Sequence, residues 1–177
     1  MRLLRLLLVA ALSALCLGCA GYHIGPVKPA ALADVHTICV QNFKNDTLEP
    51  RVETLLANSF IRQLQRDGTY KITDESHADA ILEGTLMRIT REPARSVRGN
   101  VLQAREYVLH MEVRLQLYNR RTGRPLVLQT IYGSTNFFAT DGRSIIATDV
   151  NNTERQTIPT AVEDVAGRGV SLLTEGW

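Results

Sequence analysis

The chain has 177 residues, of which 45% are hydrophobic and 21% are charged, with 20 Lys+Arg against 18 Asp+Glu. Two basic residues, Arg2 and Arg5, lie in the first 18 residues, so the remainder carries 18 charges of each sign and lacks the net positive charge typical of bulk nucleic-acid binding. The remaining length, about 160 residues, is enough for one domain with its own hydrophobic core.

The first 18 residues have the pattern of a secretory signal peptide. Arg2 and Arg5 precede an apolar run over residues 6–17, and small residues flank Cys19. The run fits the roughly 7–15 apolar residues of a signal and is shorter than the roughly 20 that cross a bilayer. We expect Cys19 to become the lipidated first residue of the mature chain. An ordinary cleaved signal, an uncleaved anchor or a buried apolar segment are the alternatives.

Residues 19–33 contain glycine and proline without periodicity, which indicates a tether before a single domain over residues 34–177. The apolar run over residues 35–43 predicts a buried strand. Cys39 lies in this run, and the other cysteines belong to the signal and to the lipid site. We therefore expect Cys39 to be a small buried hydrophobic residue, with a reactive thiol as the alternative.

A helix is predicted next, because apolar residues recur at helical spacing at Val52, Leu55, Leu56, Phe60 and Leu64. Asp46 or Thr47 is expected to cap its start, with Pro50 in the first turn. Gly68 is expected to end it in the left-handed conformation.

Three longer strands are predicted over residues 80–91, 105–119 and 126–138, after a short one within residues 69–73. Apolar and polar side chains alternate over residues 107–118, which is the period of a strand with one buried and one polar face. The short polar links between these segments favour hairpins, and hence an antiparallel meander.

Residues 139–156 are polar and indicate a long loop, after which a final helix is expected to begin near Thr157 with Pro159 in its first turn. The order of strand, helix, strands and helix predicts an α+β two-layer sandwich. Both helices are expected on one face of a mostly antiparallel four-stranded sheet.

No residue pattern points to catalysis or to a cofactor. No two histidines lie three or four residues apart, and neither a nucleophile elbow nor a phosphate-binding loop is found. We expect no enzyme activity, no metal and no cofactor.

A basic cluster surrounds the link between the second and third strands of the domain, formed by Arg88, Arg91, Arg95, Arg98 and Arg105. One interpretation is a solvated hairpin tip whose charges protect a sheet edge. The other is an anion site, because arginine offers paired donors to phosphate.

Four segments carry a resemblance to a known family: GCAGYHIG after the signal, ADAILEGTL, AREYVLHMEVRLQLYNRRTGRPL and FFATDGRSIIATDVNNTERQ. In order and spacing, over about residues 19–174, they resemble the LptE family, the lipopolysaccharide-assembly lipoproteins of Gram-negative outer membranes.

The resemblance implies a function. Such proteins are held by an acylated N-terminal cysteine, here Cys19, on the periplasmic face of the outer membrane. They plug a large β-barrel, LptD, help it to assemble, and act with it to insert lipopolysaccharide into the outer leaflet. They are not enzymes, and they bind lipopolysaccharide through basic residues.

The family's basic contact before the A-x-E-Y strand start matches Arg98, and Arg95 and Arg91 beside it are further candidates for binding lipopolysaccharide. At a second family basic position this chain has Thr148. The first half alone also resembles lipoproteins of the LpoB and CsgG kind, a synthase activator and a secretion-channel former. A tethered periplasmic regulator is therefore the alternative, and the second half of the chain favours LptE.

Overall fold

The computed structural model describes residues 28–97, 100–138 and 147–175. Within them the chain forms six strands and two helices: β1 Thr37–Val40, β2 Lys44–Asn45, α1 Val52–Asp67, β3 Lys71–Ile72, β4 Ala80–Val97, β5 Asn100–Asn119, β6 Pro125–Phe138 and α2 Ala147–Thr174. Two 3₁₀ turns lie at Ala30–Leu32 and Glu75–His77.

The strands form one mixed sheet in the order β3-β1-β4-β5-β6, and β2 pairs with β4 further along that strand. β1 runs parallel to β3 and β4, and β2 runs parallel to β4, whereas the β4–β5 and β5–β6 pairs are antiparallel. The predicted α+β class with two helices is confirmed, but the four-stranded, mostly antiparallel sheet is wrong. Strands of two residues are too short to show a period of two.

The three long strands form the predicted meander. On β5, Leu109, Met111, Val113, Leu115 and Leu117 are each at most 1% exposed, which confirms the alternating pattern. The β4–β5 hairpin is longer than expected, because β4 continues to Val97 and β5 already begins at Asn100.

Helix α1 has the predicted buried stripe and the predicted end. Val52, Leu56, Phe60 and Leu64 are buried, although Leu55 is 39% exposed. Gly68 has φ 76° and its N–H donates to the carbonyl of Leu64 at 3.0 Å. A left-handed glycine of this kind closes the last turn without steric cost.

The predicted capping of α1 by Asp46 or Thr47 is wrong. The helix begins only at Val52, after Arg51 with φ 66°, and no side chain caps it. The Asn45 side chain instead accepts hydrogen bonds from the N–H and hydroxyl of Thr47 and donates to the carbonyl of Glu49 at 2.7 Å. These bonds fold residues 45–49 into a separate turn. The polar side chains of this turn therefore bond to each other and to its backbone, and none of them caps the first turn of the helix.

Helix α2 begins at Ala147, ten residues before the predicted start, so Pro159 lies inside the helix and not in its first turn. Arg155 and Gln156 are exposed, and Ile158 is buried. The sequence of the first turns, ATDVNNTERQ, carries no apolar stripe from which a helix could be predicted.

Both helices pack on one side of the sheet, and glycines allow the closest contacts. A Cβ at Gly133 of β6 would lie 3.1 Å from the backbone N of Val165 and 3.2 Å from the carbonyl oxygen of Ala161 in α2. A Cβ at Gly84 of β4 would lie 2.7 Å from Cζ of Phe43. These residues hold α2 and the Phe43 ring directly against the sheet.

A long-range hydrogen bond joins the link between α1 and β3 to the end of α2. The Tyr70 hydroxyl donates to the carbonyl of Leu173 at 2.6 Å, and it thereby satisfies a backbone acceptor in the last turn of α2. Burial, with the charge of Asp67 as a smaller cause, raises the pKa of Tyr70 to about 12.

Candidate functional site

The side of the β4–β5–β6 meander opposite the helices is the candidate functional surface. We call it the open face. Its side chains are the even-numbered residues 106–118 of β5, their cross-strand partners on β4, and the even-numbered residues 128–138 of β6. Helices α1 and α2 both pack on the other side, where the apolar residues of β5 are buried.

The β6 part of the open face exposes large apolar side chains. Leu128 is 61% exposed, and Tyr132 and Phe138 are each 64% exposed. Sequence reasoning did not single out these residues as functional. The signal was present in the sequence of β6, PLVLQTIYGSTNFF, because adjacent apolar residues put apolar side chains on both faces of the strand and no residue is charged. Apolar and aromatic side chains on an otherwise polar surface are typical of protein interfaces.

The β5 part of the open face is polar and partly paired. The Tyr118 hydroxyl donates to Glu83 at 3.0 Å, and the Asn136 amide donates to Glu106 at 3.0 Å. Burial, together with the hydrogen bond to Glu83, raises the pKa of Tyr118 to about 12, so this phenol keeps its proton and its bond to Glu83 at physiological pH.

Three cations of this face have no carboxylate partner among the described residues: Lys44, Arg88 and Arg114. Lys44 and Arg114 flank Thr85 in register on neighbouring strands, and all three line a polar cavity of about 150 Å³. A partner that covers the open face must therefore offer negative or polar groups here, because charges that lose water need compensating contacts.

Four members of the predicted basic cluster lie on the two strands of the β4–β5 hairpin: Arg88, Arg91 and Arg95 on β4, and Arg105 on β5. Arg88 pairs across the strands with Glu112 and lies on the open face, whereas Arg91 pairs with Leu109 and lies on the helix side. The register shift between Leu86 and Arg88 precedes both residues. The two arginines therefore face in opposite directions and do not form one anion site.

Of the residues predicted to bind lipopolysaccharide, only Arg91 has a described side chain. It is 39% exposed and its guanidinium donates to Glu49 at 2.8 Å. Arg95 pairs with Glu106 through the backbone of β4. Arg98 and the lipid candidate Cys19 lie outside the described residues, and Thr148 lies in the first turns of α2.

The turn that carries Glu49 also presents Leu48, whose side chain is fully exposed. Besides the bonds within the turn, the amide of Asn45 donates to Glu53 at 2.8 Å, and the N–H of Asp46 donates to the carbonyl of Leu86 at 3.0 Å. An apolar side chain held in water by an ordered turn is a second contact point missed by the sequence analysis.

The prediction that Cys39 is buried in the core is wrong. Ile38 takes the core position of β1, so Cys39 faces the other side of the sheet and is partly exposed. Burial, and then the charges of Glu75 and Asp74, raise the pKa of the Cys39 thiol. The thiol form is therefore favoured, which is the opposite of what a reactive cysteine requires.

The acidic turn before β4 forms a local hydrogen-bond cluster. The Ser76 hydroxyl and the Nδ1 of His77 both bond to Asp74, with the histidine at 2.9 Å. The bond to Ser76, and then that to His77, hold the pKa of Asp74 far below its usual range. Among the described residues, no three of His, Cys, Asp or Glu come together as a metal site.

No helix within residues 28–97, 100–138 and 147–175 combines the length and the apolar character needed to cross a bilayer.

The fold recurs in solved bacterial proteins. Protein XCC0632 from Xanthomonas campestris is 13% identical, with a TM-score of 0.54 over 85% of this chain and 90% of that one. The PelC dodecamer from Paraburkholderia phytofirmans is 15% identical, with a TM-score of 0.52 over 85% and 96%. A minor lipoprotein from Acinetobacter baumannii is 13% identical, with a TM-score of 0.50 over 79% and 91%. At these identities the likeness concerns the fold alone.

No curated protein matches the sequence. The family model of LptE, described as lipopolysaccharide-assembly, matches residues 35–171. This range runs from the segment before β1 nearly to the end of α2, so it includes both helices and the whole sheet. The chain therefore belongs to the LptE family of lipopolysaccharide-assembly proteins.

Proposed function

We propose that this protein is an outer-membrane lipoprotein, anchored through Cys19 on the periplasmic face, that plugs an LptD-type β-barrel and assists its assembly. With that barrel it takes part in inserting lipopolysaccharide into the outer leaflet. Family membership over residues 35–171 supports the role in lipopolysaccharide assembly. The observation that carries the plug is the open face, a long strand surface that neither described helix covers.

The chemistry of the open face suits a barrel lumen better than free solvent. Leu128, Tyr132 and Phe138 supply apolar contact area at one side of the face. Lys44 and Arg114 supply positive charge at the other side, beside a polar cavity. We expect the wall of the barrel to present apolar side chains to β6 and carboxylates to β2 and β5, because a buried cation without a partner is strongly unfavourable.

The contact with lipopolysaccharide is assigned to the β4–β5 hairpin through Arg98, Arg95 and Arg91. Phosphates of the glycolipid would meet guanidinium donors there. At Arg91 the anion must compete with Glu49, whose carboxylate lies 2.8 Å from the guanidinium. The geometry supports Arg91 as an adjustable contact, with affinity set by this competition.

The deciding experiment is an affinity pull-down of the tagged full chain from detergent-solubilised outer membranes, followed by mass spectrometry. We expect a large β-barrel near one to one. The variant Tyr132→Asp places a charge in the middle of the exposed apolar residues and should lower barrel recovery. Arg66→Asp, on the exposed surface of α1, is the matched control and should leave recovery unchanged.

Recovery of a peptidoglycan synthase, or of no partner, would contradict the plug and support the tethered regulator. The anchor is tested separately by labelling with a radioactive fatty acid, which Cys19→Ser should abolish. The glycolipid contact is tested with Arg98→Glu, which should weaken lipopolysaccharide binding and increase outer-membrane permeability. Unchanged binding and permeability would reject the role of Arg98.

A further inference from the structure

Strand β6 forms one edge of the sheet, since it pairs with β5 alone. Edge strands offer unpaired backbone groups, and proteins usually protect them with charged residues, bulges or short length. The opposite edge is protected in this way, because β3 has two residues and one of them is Lys71. β6 has 14 residues and no charged side chain, and its pairing over residues 127–138 has no register shift.

The free hydrogen-bonding groups of β6 can be assigned from one contact. The N–H of Ser134 donates to Oδ2 of Asp164 in α2 at 3.0 Å, so it points away from β5. Ladder N–H groups alternate in direction along a strand. The N–H groups of Leu128, Thr130 and Tyr132 therefore also point outward, and no described side chain accepts a hydrogen bond from them.

This arrangement leaves a specific stretch for strand addition. Asp164 occupies the outward donor at Ser134, so the helix blocks the edge at that end. Pro125 begins the strand and donates no hydrogen bond. The stretch between them is uncharged and carries the exposed side chains of Leu128 and Tyr132 on the open face.

We propose that a second copy of this chain pairs with β6 in antiparallel orientation, joining two sheets across a two-fold axis near Thr130. In that register Leu128 of each copy lies opposite Tyr132 of the other, an aliphatic–aromatic cross-strand pair. The strand does not repel its own copy, because it carries no charge. A two-fold contact uses the same surface of both copies, so a strand that fits its own copy is what such a contact requires.

One strand pair buries less than the roughly 800 Å² per partner of a standard stable interface. The dimer is therefore weak and dependent on concentration. The dimer concerns chains that are not bound in a barrel. It goes beyond the proposed function, so the dimer and the barrel plug can each be refuted without the other.

The test is photo-cross-linking of the purified full-length chain in mild detergent, free of any barrel, with benzoylphenylalanine at Leu128. We expect an adduct of twice the mass of the chain. Thr130→Lys should reduce this adduct about ten-fold, because it places like charges opposite each other at the axis. Thr130→Val, which keeps the edge uncharged, should retain it.

Benzoylphenylalanine at Arg66 on α1 is the positional control and should give no such adduct. The proposal is overturned if Leu128 of the purified chain gives no adduct of double mass. It is also overturned if Thr130→Lys leaves the yield unchanged while thermal unfolding shows that the variant is folded.

Discussion

Replacing Gly133 by alanine should destabilise the protein by pushing α2 away from β6. The new Cβ would lie 3.1 Å from the backbone N of Val165 and 3.2 Å from the carbonyl oxygen of Ala161. Non-bonded carbon contacts prefer about 3.5–4.0 Å, so the helix must move by several tenths of an ångström. Overpacking of this kind costs about 1–3 kcal/mol. Alanine should recover at most about 1 kcal/mol of the entropy that glycine loses on folding.

The expected net loss of about 1–2 kcal/mol corresponds to roughly 2–8 °C in the midpoint of thermal unfolding for a chain of this size. The assay is unfolding of the full chain in mild detergent, by heat and by urea, followed by circular dichroism. Gly167→Ala in α2 is the matched control, because no atom lies within 4 Å of the added Cβ. It should stabilise the protein by about 0.5–1 kcal/mol through helix propensity.

The two substitutions thus differ in sign although both introduce the same methyl group, one in the sheet and one in the helix that packs on it. If Gly133→Ala unfolds at the same temperature and urea concentration as the wild-type chain, or at higher ones, the close approach of α2 to β6 is not as described. If Gly167→Ala also destabilises the protein, other atoms occupy the space beside Gly167. The packing of α2 against β6 would then differ from that described.

Tyr70→Phe should cost about 1 kcal/mol by removing the hydrogen bond to the carbonyl of Leu173. Because the pKa of Tyr70 is raised to about 12, its contribution is complete below pH 10 and is lost as the pH rises toward 12, so the variant should lose stability less steeply over that range in urea titrations. Backbone hydrogen bonds lower the pKa of Asp79, so its contribution is present above pH about 4 and is lost on further acidification; Asp79→Asn should flatten the acid branch of the same titration, and an unchanged branch would contradict the assignment. Glu49→Gln should strengthen lipopolysaccharide binding a few-fold in a salt-dependent manner, since the pair with Arg91 is worth at most about 1 kcal/mol, whereas equal affinities would show that Glu49 does not compete with the anion.

The sequence predicts those helices and strands that bury one face and expose the other over several turns or several residues. The period of two along β5 and the stripe from Val52 to Leu64 both arise from contact with the same core, so pattern and burial agree. Parallel pairing of β1 with β3 and β4 could not be predicted, because strand direction depends on the crossover through α1 and leaves no mark on the strand itself. The first turns of α2 were missed because their sequence, ATDVNNTERQ, is mostly polar and carries no apolar stripe.

The candidate site was predictable only in part. The polar face of β5 follows from the alternation of apolar and polar residues along the strand. That this face is uncovered follows from the packing of both helices on the other side of the sheet, which the alternation does not predict. The separation of Arg88 from Arg91 depends on the register with β5, which places their partners Glu112 and Leu109 on opposite faces. Spacing in the sequence had grouped these arginines as one cluster.

The position of α2 after the meander in the chain order affects how the protein can be made. A polypeptide is synthesised and exported from its N-terminus, so the meander is complete before the helix that covers its apolar side has emerged. During that interval Leu109, Met111, Val113 and their neighbours remain accessible to other chains, and the bond between Tyr70 and Leu173 cannot yet form. Efficient maturation therefore depends on how quickly the last helix arrives, and a holding chaperone would be needed most just before that moment.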